Sequence, residues 1–446
     1  MTTMEFFEKL SPSRKLIAAF FMAILLGSVL LMMPFSLAEG QKISFLTSLF
    51  TVTSAVCVTG LSVIDISKVL SPIGQTMLII FIQLGGLGIM TFSSIIFLLM
   101  GKKLGYKERI LLAEERNAES GGEVVKFIKT ILLTVFIIES IGAAILTLEF
   151  RKTFPLEKAI FYGIFHSISA FCNAGFALFS DNLESFATNP IVNLTIMYLI
   201  IIGGIGFSVI NSFILVVRKN INRFTLTSKV AILLSIILTF WGALIFFILE
   251  YTNPHTIGEM GFLDKILASF FQSVTTRTAG FNTIPMGSLN SSTIFFFCLI
   301  MFIGASPGST GGGIKTTTLG VIMFYVIGIV RGKENIEIFN RRIGWEILNK
   351  ALAILVISIS YVSIIILLIL MIDKFSFEEV IFEVISAFAT VGLSLGITAD
   401  FNTLSKMLLI VTMFIGRLGP LTFALALGEK KKKELIKYPK EDILVG

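Results

Sequence analysis

The chain has 446 residues, 55% of them hydrophobic and 15% charged, with a net charge of +7 and a mean hydropathy of +0.91. Soluble domains carry about 25% charged residues, so the composition excludes an ordinary soluble enzyme or binding module. Long apolar runs without strict alternation exclude a membrane β-barrel and leave a polytopic helical membrane protein.

The 36 Lys and Arg residues are unevenly spread: 25 fall in the N-terminus up to Lys15, in 102–129, 218–229, 331–350 and 430–440. The positive-inside rule puts these segments, and with them both termini, in the cytoplasm of a multi-pass cell (plasma) membrane protein. This pattern accounts for the positive charge without nucleic acid as a partner. The intervening loops are acidic by comparison, with Glu39, Asp65, Asp181, Glu184 and Asp400 among their residues, which would enrich cations near an entrance.

In chain order, a cytoplasmic N-terminus (1–13) precedes an apolar run at 16–35. It is too long for a signal-peptide core and lacks a clear cleavage site, so it reads as a retained helix. Four similar units follow: repeat one over 14–101, repeat two over 124–218, repeat three over 229–331 and repeat four over 348–428. Cytoplasmic linkers at 102–123, 219–228 and 332–347 separate them, and a basic tail occupies 429–446. Within each unit a long apolar run, a short one of about a dozen residues and a second long run succeed one another. The short run cannot cross the roughly 30 Å hydrocarbon core, so it is read as entering half-way and turning back. The predicted fold is an all-α polytopic membrane protein of four helix–pore loop–helix repeats, with pseudo-four-fold symmetry around a central ion pore.

The short runs superpose on one glycine each: FTVTSAVCVTGLS (50–62), FHSISAFCNAGFA (165–177), FQSVTTRTAGFNT (271–283, preceded by Phe270) and FEVISAFATVGLS (382–394). Ten residues before Gly60, Gly175, Gly280 and Gly392 stand Phe50, Phe165, Phe270 and Phe382, and five before stand Ala55, Ala170, Thr275 and Ala387. Copies at near-even spacing mark an internal repeat. The third stretch of repeats one, two and four carries a GxxG, at Gly85–Gly88, Gly203–Gly206 and Gly416–Gly419, where small residues allow close helix approach. Repeat three has Gly304-Ala305-Ser306-Pro307 instead.

A dehydrated monovalent cation needs oxygens in place of its water shell, and backbone carbonyls supply them without the trapping strength of carboxylates. Glycine reaches backbone angles closed to other residues, so it can aim a carbonyl at an axis. The expected K+ ligands are therefore Val58, Thr59 and Gly60; Asn173, Ala174 and Gly175; Thr278, Ala279 and Gly280; Thr390, Val391 and Gly392. Thr390-Val391-Gly392 matches the start of the potassium-channel filter TVGYG. One glycine per copy implies fewer stacked oxygen rings, hence lower selectivity or tighter single-site behaviour.

The last stretch of repeat three breaks at GASPGSTGGGIKTTT (304–318), between apolar halves at 293–303 and 319–330. A nucleotide loop needs G-x-x-x-x-G-K-[ST] after a strand. Here Ile314 separates Gly313 from Lys315, and the flanks are membrane helices. The readings are a simple kink or a plug beneath the filter made of Gly304, Ala305, Ser306, Pro307, Gly308, Ser309, Thr310, Gly311, Gly312, Gly313 and Lys315. Arg417 falls at the matching break of repeat four. An intramembrane Arg costs at least ~2.5–3.5 kcal/mol on insertion scales and so faces the interior or water. It reads both as an electrostatic barrier below the filter and as a structural donor to loop carbonyls. Arg277, three before Gly280, is expected to point behind the filter and pair with Glu383, bracing one repeat against the next. Glu139 is a buried acid whose partner the sequence leaves open.

The four pore motifs, the intramembrane loop and Gly416-Arg417 resemble the Trk/Ktr/HKT superfamily of potassium transporters, most closely the membrane subunit of bacterial Ktr systems, over about residues 14–428. The resemblance implies K+ uptake, with Na+ as a stimulating ion, and an intramembrane gate. It also implies a homodimer and a cytoplasmic RCK-type ring of nucleotide-binding regulatory subunits, the nucleotide being bound there and not by this chain. In plant members a serine can replace the first filter glycine and favour Na+; Gly60 implies the potassium-type filter. The basic face and tail suit a protein partner and anionic membrane lipids equally. A non-pore secondary cation symporter is the alternative, and the shortage of His and Asp at membrane depth argues against an intramembrane enzyme.

Overall fold

The structure, a computed structural model, describes residues 12–88, 121–217, 223–333 and 335–420. The N-terminal residues 1–11, most of the 102–123 linker and the expected basic tail at 429–446 lie outside them. Each unit begins with a long helix: α1 (Pro12–Leu31), α4 (Gly121–Phe150), α8 (Leu226–Glu250) and α12 (Trp345–Ile372). A shorter helix follows: α2 (Phe45–Val56), α5 (Leu156–Phe171), α9 (Phe262–Thr275) and α13 (Phe377–Ala389). At 12 to 16 residues and about 1.5 Å per residue, these four cannot span a bilayer. The third element is α3 (Pro72–Leu87) in repeat one. In repeat two it is α6 (Pro190–Ile205) with α7 (Phe207–Val217), bent by 95°. In repeat three it is α10 (Ser291–Phe302) with α11 (Thr316–Val330), and in repeat four α14 (Thr403–Leu418).

Local chemistry starts these helices. Ser44, Ser71, Thr225 and Ser376 accept a backbone N–H with their side chains at the N-termini of α2, α3, α8 and α13. Asn189 and Asn402 do so for α6 and α14, and Pro72 and Pro190 occupy the first turn where the missing N–H costs nothing. In repeats two to four an acid at the end of the first helix holds the Asn that opens the third. Glu149 accepts from Asn189 Nδ2 at 3.2 Å, Glu250 from the Asn290 amide at 3.0 Å, and Asp373 from the Asn402 amide at 3.2 Å.

The long helices turn large apolar side chains outward: Phe136, Leu148, Trp241, Ile248, Leu367 and Met371 are all exposed. This reversal of the soluble pattern suits a lipid surround. The core lies instead on the short helices, where Phe50, Phe165 and Phe382 are buried. Phe270 departs from them: it is half-buried, edge-on to Phe240 at 5.5 Å, and its neighbour Phe271 fills the core.

The third helix of each unit packs on the short helix of the next: α3 on α5, α6 on α9, α10 on α13, and α14 back on α2. The series therefore closes on itself. Between repeats three and four, β1 (Ile336–Ile338) and β2 (Arg341–Ile343) form a hairpin. Its two turn residues, Phe339 and Asn340, have φ of 48° and 60°, the geometry of a two-residue type I′ turn. Ile336, Ile338 and Ile343 seat it on Val230, Val321 and Leu348. The 332–347 linker thus contains a hairpin where the sequence suggests only a connection.

Candidate functional site

Each short helix ends three to five residues before its aligned glycine, and the backbone then alternates in hand. Val58, Asn173, Thr278 and Thr390 have φ of 56°, 58°, 67° and 53°; Gly60, Gly175, Gly280 and Gly392 have 98°, 69°, 76° and 90°; the residue between them is not left-handed in any copy. Alternating hand turns successive carbonyls to the same side of the strand. The amides point the other way, back onto the helix. Thr59, Ala174 and Val391 donate to the carbonyls of Ser54, Ser169 and Ser386 at 2.7–2.8 Å, and Ala279 donates to Thr275 at 3.0 Å. Gly60 and Gly392 donate to the hydroxyls of Ser54 and Ser386, each at 3.0 Å. With these N–H groups engaged behind the turns, the ring carbonyls lie on the opposite face and accept no hydrogen bond among the described residues.

The four turns meet. A Cβ built on Gly60 would lie 2.5 Å from the Ala174 carbonyl oxygen, one on Gly175 2.7 Å from that of Ala279, and one on Gly280 2.5 Å from that of Val391. One on Gly392 would strike the Thr59 oxygen. The order is repeat one to two, two to three, three to four, and four to one, a closed ring of backbone oxygens with no room for a side chain. Glycine is thus required twice, for its left-handed φ and for the neighbour's carbonyl.

Polar side chains prop the segment beyond the ring. His166 Nε2 accepts from the Leu178 amide at 3.2 Å, and Glu383 accepts from the Leu395 amide at 3.2 Å. Both acceptors stand nine residues before their glycine, and both amides three after. In repeat three Gln272 donates to Thr283 at 3.4 Å. Glu383 is fully buried and also accepts from Thr398 Oγ1 at 2.9 Å and from Ser394 Oγ.

The expected Arg277–Glu383 pair is therefore corrected. Arg277 does point behind its turn, but it donates to the Ser235 carbonyl at 3.0 Å, to Ser235 Oγ at 2.9 Å and to Thr239 Oγ1 at 3.2 Å, all on α8. A guanidinium is a fork of donors without acceptors, and the hydroxyls and carbonyl of its own repeat's first helix engage both of its terminal nitrogens before it reaches α13. Glu139, whose partner was open, accepts from Gln83 Nε2 at 3.0 Å, while Cys172 donates to Gln83 Oε1 at 3.3 Å.

On the helix-end side of the ring lies the segment 304–315, non-helical throughout. Its base is pinched: the Gly304 amide donates to Ile314 at 2.8 Å, and Ser306 and Thr316 share a hydroxyl contact of 2.9 Å. Four of its amides have backbone or hydroxyl acceptors. Ser306 and Thr310 donate to the Gly204 and Gly203 carbonyls at the α6 break, and Gly312 donates to Thr390 Oγ1 at 2.9 Å. A phosphate would find these N–H groups occupied. Two cations hold the loop by its carbonyls: Lys315 Nζ donates to Gly311 at 2.7 Å, and Arg417 donates to Thr310 and to Gly85. Arg417 thereby ties the loop to repeat one, as the structural reading anticipated, while placing its charge at the loop.

The remaining expected positions fall in the same assembly. Ala305 and Gly313 are buried within the loop, and Pro307, Gly308 and Ser309 are half-buried on it. The GxxG stretches also have a fuller role than helix approach. At Gly85, Gly203 and Gly416 a Cβ would strike the carbonyls of Val56, Phe171 and Phe388, each four residues before the ring glycine. Their last glycines, Gly88, Gly206 and Gly419, end the helices with φ of 83°, 101° and 86°.

A ring of carbonyls from four re-entrant turns, with a cation-tethered loop against one side, defines a membrane protein built to pass ions. The chain belongs to the TrkH family of cation transport proteins, whose match covers residues 8–435. It is 42% identical to Ktr system potassium uptake protein B of Bacillus subtilis, over 98% of this chain and 97% of that protein. It is also 36% identical to the potassium/sodium uptake protein NtpJ of Enterococcus hirae, over 98% of each. The crystal structure of the potassium transporter TrkH from Vibrio parahaemolyticus shares the fold, with a TM-score of 0.74 at 17% identity, covering 94% of this chain and 86% of that one.

Proposed function

We propose that the chain is a potassium-uptake membrane subunit that conducts K+ through the carbonyl ring at Gly60, Gly175, Gly280 and Gly392. The observation that carries this is the closed order of the four glycines on their neighbours' carbonyls, an order that suits several neutral oxygens shared around one ion. Such a ring replaces hydration without trapping the ion. The loop 304–315, with Lys315 and Arg417, is the gate on the cytoplasmic side, and their positive charge adds an electrostatic barrier to a cation there. The relatives named for potassium uptake and for potassium/sodium uptake support K+ as cargo and keep Na+ as a second transported or stimulating ion.

The subunit sits in the cell membrane with both termini cytoplasmic, as its basic segments favour. It works as a homodimer with a pore in each protomer, and a cytoplasmic ring of nucleotide-binding regulatory subunits moves the gate. The word "system" in its relatives' names fits a partner of that kind. The test is flux of K+, Rb+ and Na+ into proteoliposomes. The expected result is saturable K+ and Rb+ flux, strongly reduced by Gly392→Ser. Equal selectivity in that variant would remove the ring from the ion path.

A further inference from the structure

The gate reading says where the loop lies but not what keeps it there. We propose that the side chains two residues before the ring glycines, Asn173 and Thr390, are the latch that holds the 304–315 loop against the filter; the inference builds on the gate reading. These positions have two faces. Their left-handed backbone belongs to the turn that aims the ring carbonyls, while their side chains point to the loop. Thr390 Oγ1 accepts from the Gly312 amide at 2.9 Å. The Asn173 carboxamide lies 3.2 Å from the Thr310 hydroxyl and 3.3 Å from that of Thr278, whichever way round its O and N are set. Thr278 forms the roof between them, so close to Gly311 that a Cβ there would meet its hydroxyl.

The arrangement is lopsided. Repeats two, three and four present polar side chains at this level, whereas repeat one presents Val58, a side chain with nothing to donate or accept. Val58 faces the seat of Gly85 on the α2 end. The loop is thus hydrogen-bonded to filter side chains on the sides of repeats two and four, while Arg417, which donates to the loop at Thr310, also reaches the Gly85 carbonyl on the side of repeat one. Freeing the loop means breaking the Gly312–Thr390 and Thr310–Asn173 contacts. Because residues 173 and 390 also shape their turns, the state of the gate is communicated to the filter through these two residues.

The latch is read by loop accessibility, independently of transport. Ser309 is half-buried on the loop, with a hydroxyl that has no hydrogen-bond partner among the described residues, and the native thiols Cys57, Cys172 and Cys298 are buried. Ser309→Cys in the full chain, reconstituted in proteoliposomes, is labelled with an impermeant maleimide from the cytoplasmic side. A hydrogen bond contributes about 0.5–1.5 kcal/mol net, so adding Thr390→Val is expected to raise the labelling rate about two- to thirteenfold. Thr390→Ser, which restores the hydroxyl, is expected to return it to the parent rate. Thr310→Val, which leaves the filter untouched, is expected to raise labelling as well and keeps the test decisive if Thr390→Val fails to fold. Parent-rate labelling in Thr310→Val, or in both valine variants, overturns the latch. Faster labelling with no cation flux in any variant upholds the latch and rejects the ion-path reading.

Discussion

Repeats three and four share one plan and use it differently. In both, 24 residues separate the ring glycine from the first glycine of the third stretch, Gly280 to Gly304 and Gly392 to Gly416. In repeat four, α14 runs through that point to Leu418, and Gly416 is seated on the Phe388 carbonyl at the end of the short helix. Repeats one and two do the same at Gly85 and Gly203. In repeat three α10 stops at Phe302, and Gly304 is seated on Gly312, a residue of the loop itself. The backbone seat that elsewhere locks helix to filter here closes a loop upon its own base. α10 still packs on α13, so under the proposed gate the contact between repeats three and four does not depend on the loop.

The comparison can be broken or sharpened by substitution. The largest effect is expected at the ring, where a serine for Gly392 combines a left-handed backbone cost of about 1–2 kcal/mol with a collision on the Thr59 oxygen. K+-over-Na+ preference in proteoliposomes should fall about tenfold or more. Next come the two gate lesions, shortening of 304–313 and Arg417→Ala. Each removes part of what holds the loop and should raise K+ flux several-fold; unaltered flux in both defeats the gate. A paired test follows at the glycine seats. Gly416→Ala over-packs a helix on the filter, a lesion of about 1–3 kcal/mol, and should lower both thermal stability and uptake. Gly304→Ala disturbs the loop alone and should leave the thermal midpoint nearer the parent's. If the two variants melt alike, the seats are equivalent and the contrast fails.

Smaller effects are expected at the props. Glu383→Gln keeps one acceptor oxygen but places an amide among the donors of Ser394, Leu395 and Thr398, and mispaired buried polar groups cost about 1–3 kcal/mol. Thermal unfolding in detergent should register that loss. Asn402→Ala removes a helix cap worth about 1 kcal/mol and should shift the midpoint least.

Much of this was legible because the chain repeats. The glycine anchors, the half-length middle runs and the break at 304–313 follow from spacing and composition, and each has a local physical cause. The Ser at 54, 169 and 386, six before the glycine, was equally visible as a pattern, yet its work as acceptor or donor behind the turn needs the third dimension. His166 and Glu383 share a register too, but one is an imidazole and the other a carboxylate, so residue identity concealed a common role. Opposite charge points Arg277 to Glu383 in the sequence, but neutral acceptors on its own repeat's first helix lie nearer in space. The hairpin at 336–343 hid in six strand residues of a charged connection.

The amino-acid order alone determined that the chain is a four-fold helical repeat for lipid, that the short run of each repeat ends on one aligned glycine, and that repeat three alone carries an extended helix-breaking segment. Those are properties of local backbone preference and of hydrophobic length. Only the tertiary structure decided which carbonyl each glycine abuts, which hydroxyls hold the loop, and where Arg277, Glu139 and Arg417 find their donors and acceptors. A hydrogen bond is settled by the nearest satisfiable group in space, and in this molecule that group often stands about a hundred residues or more away in the chain.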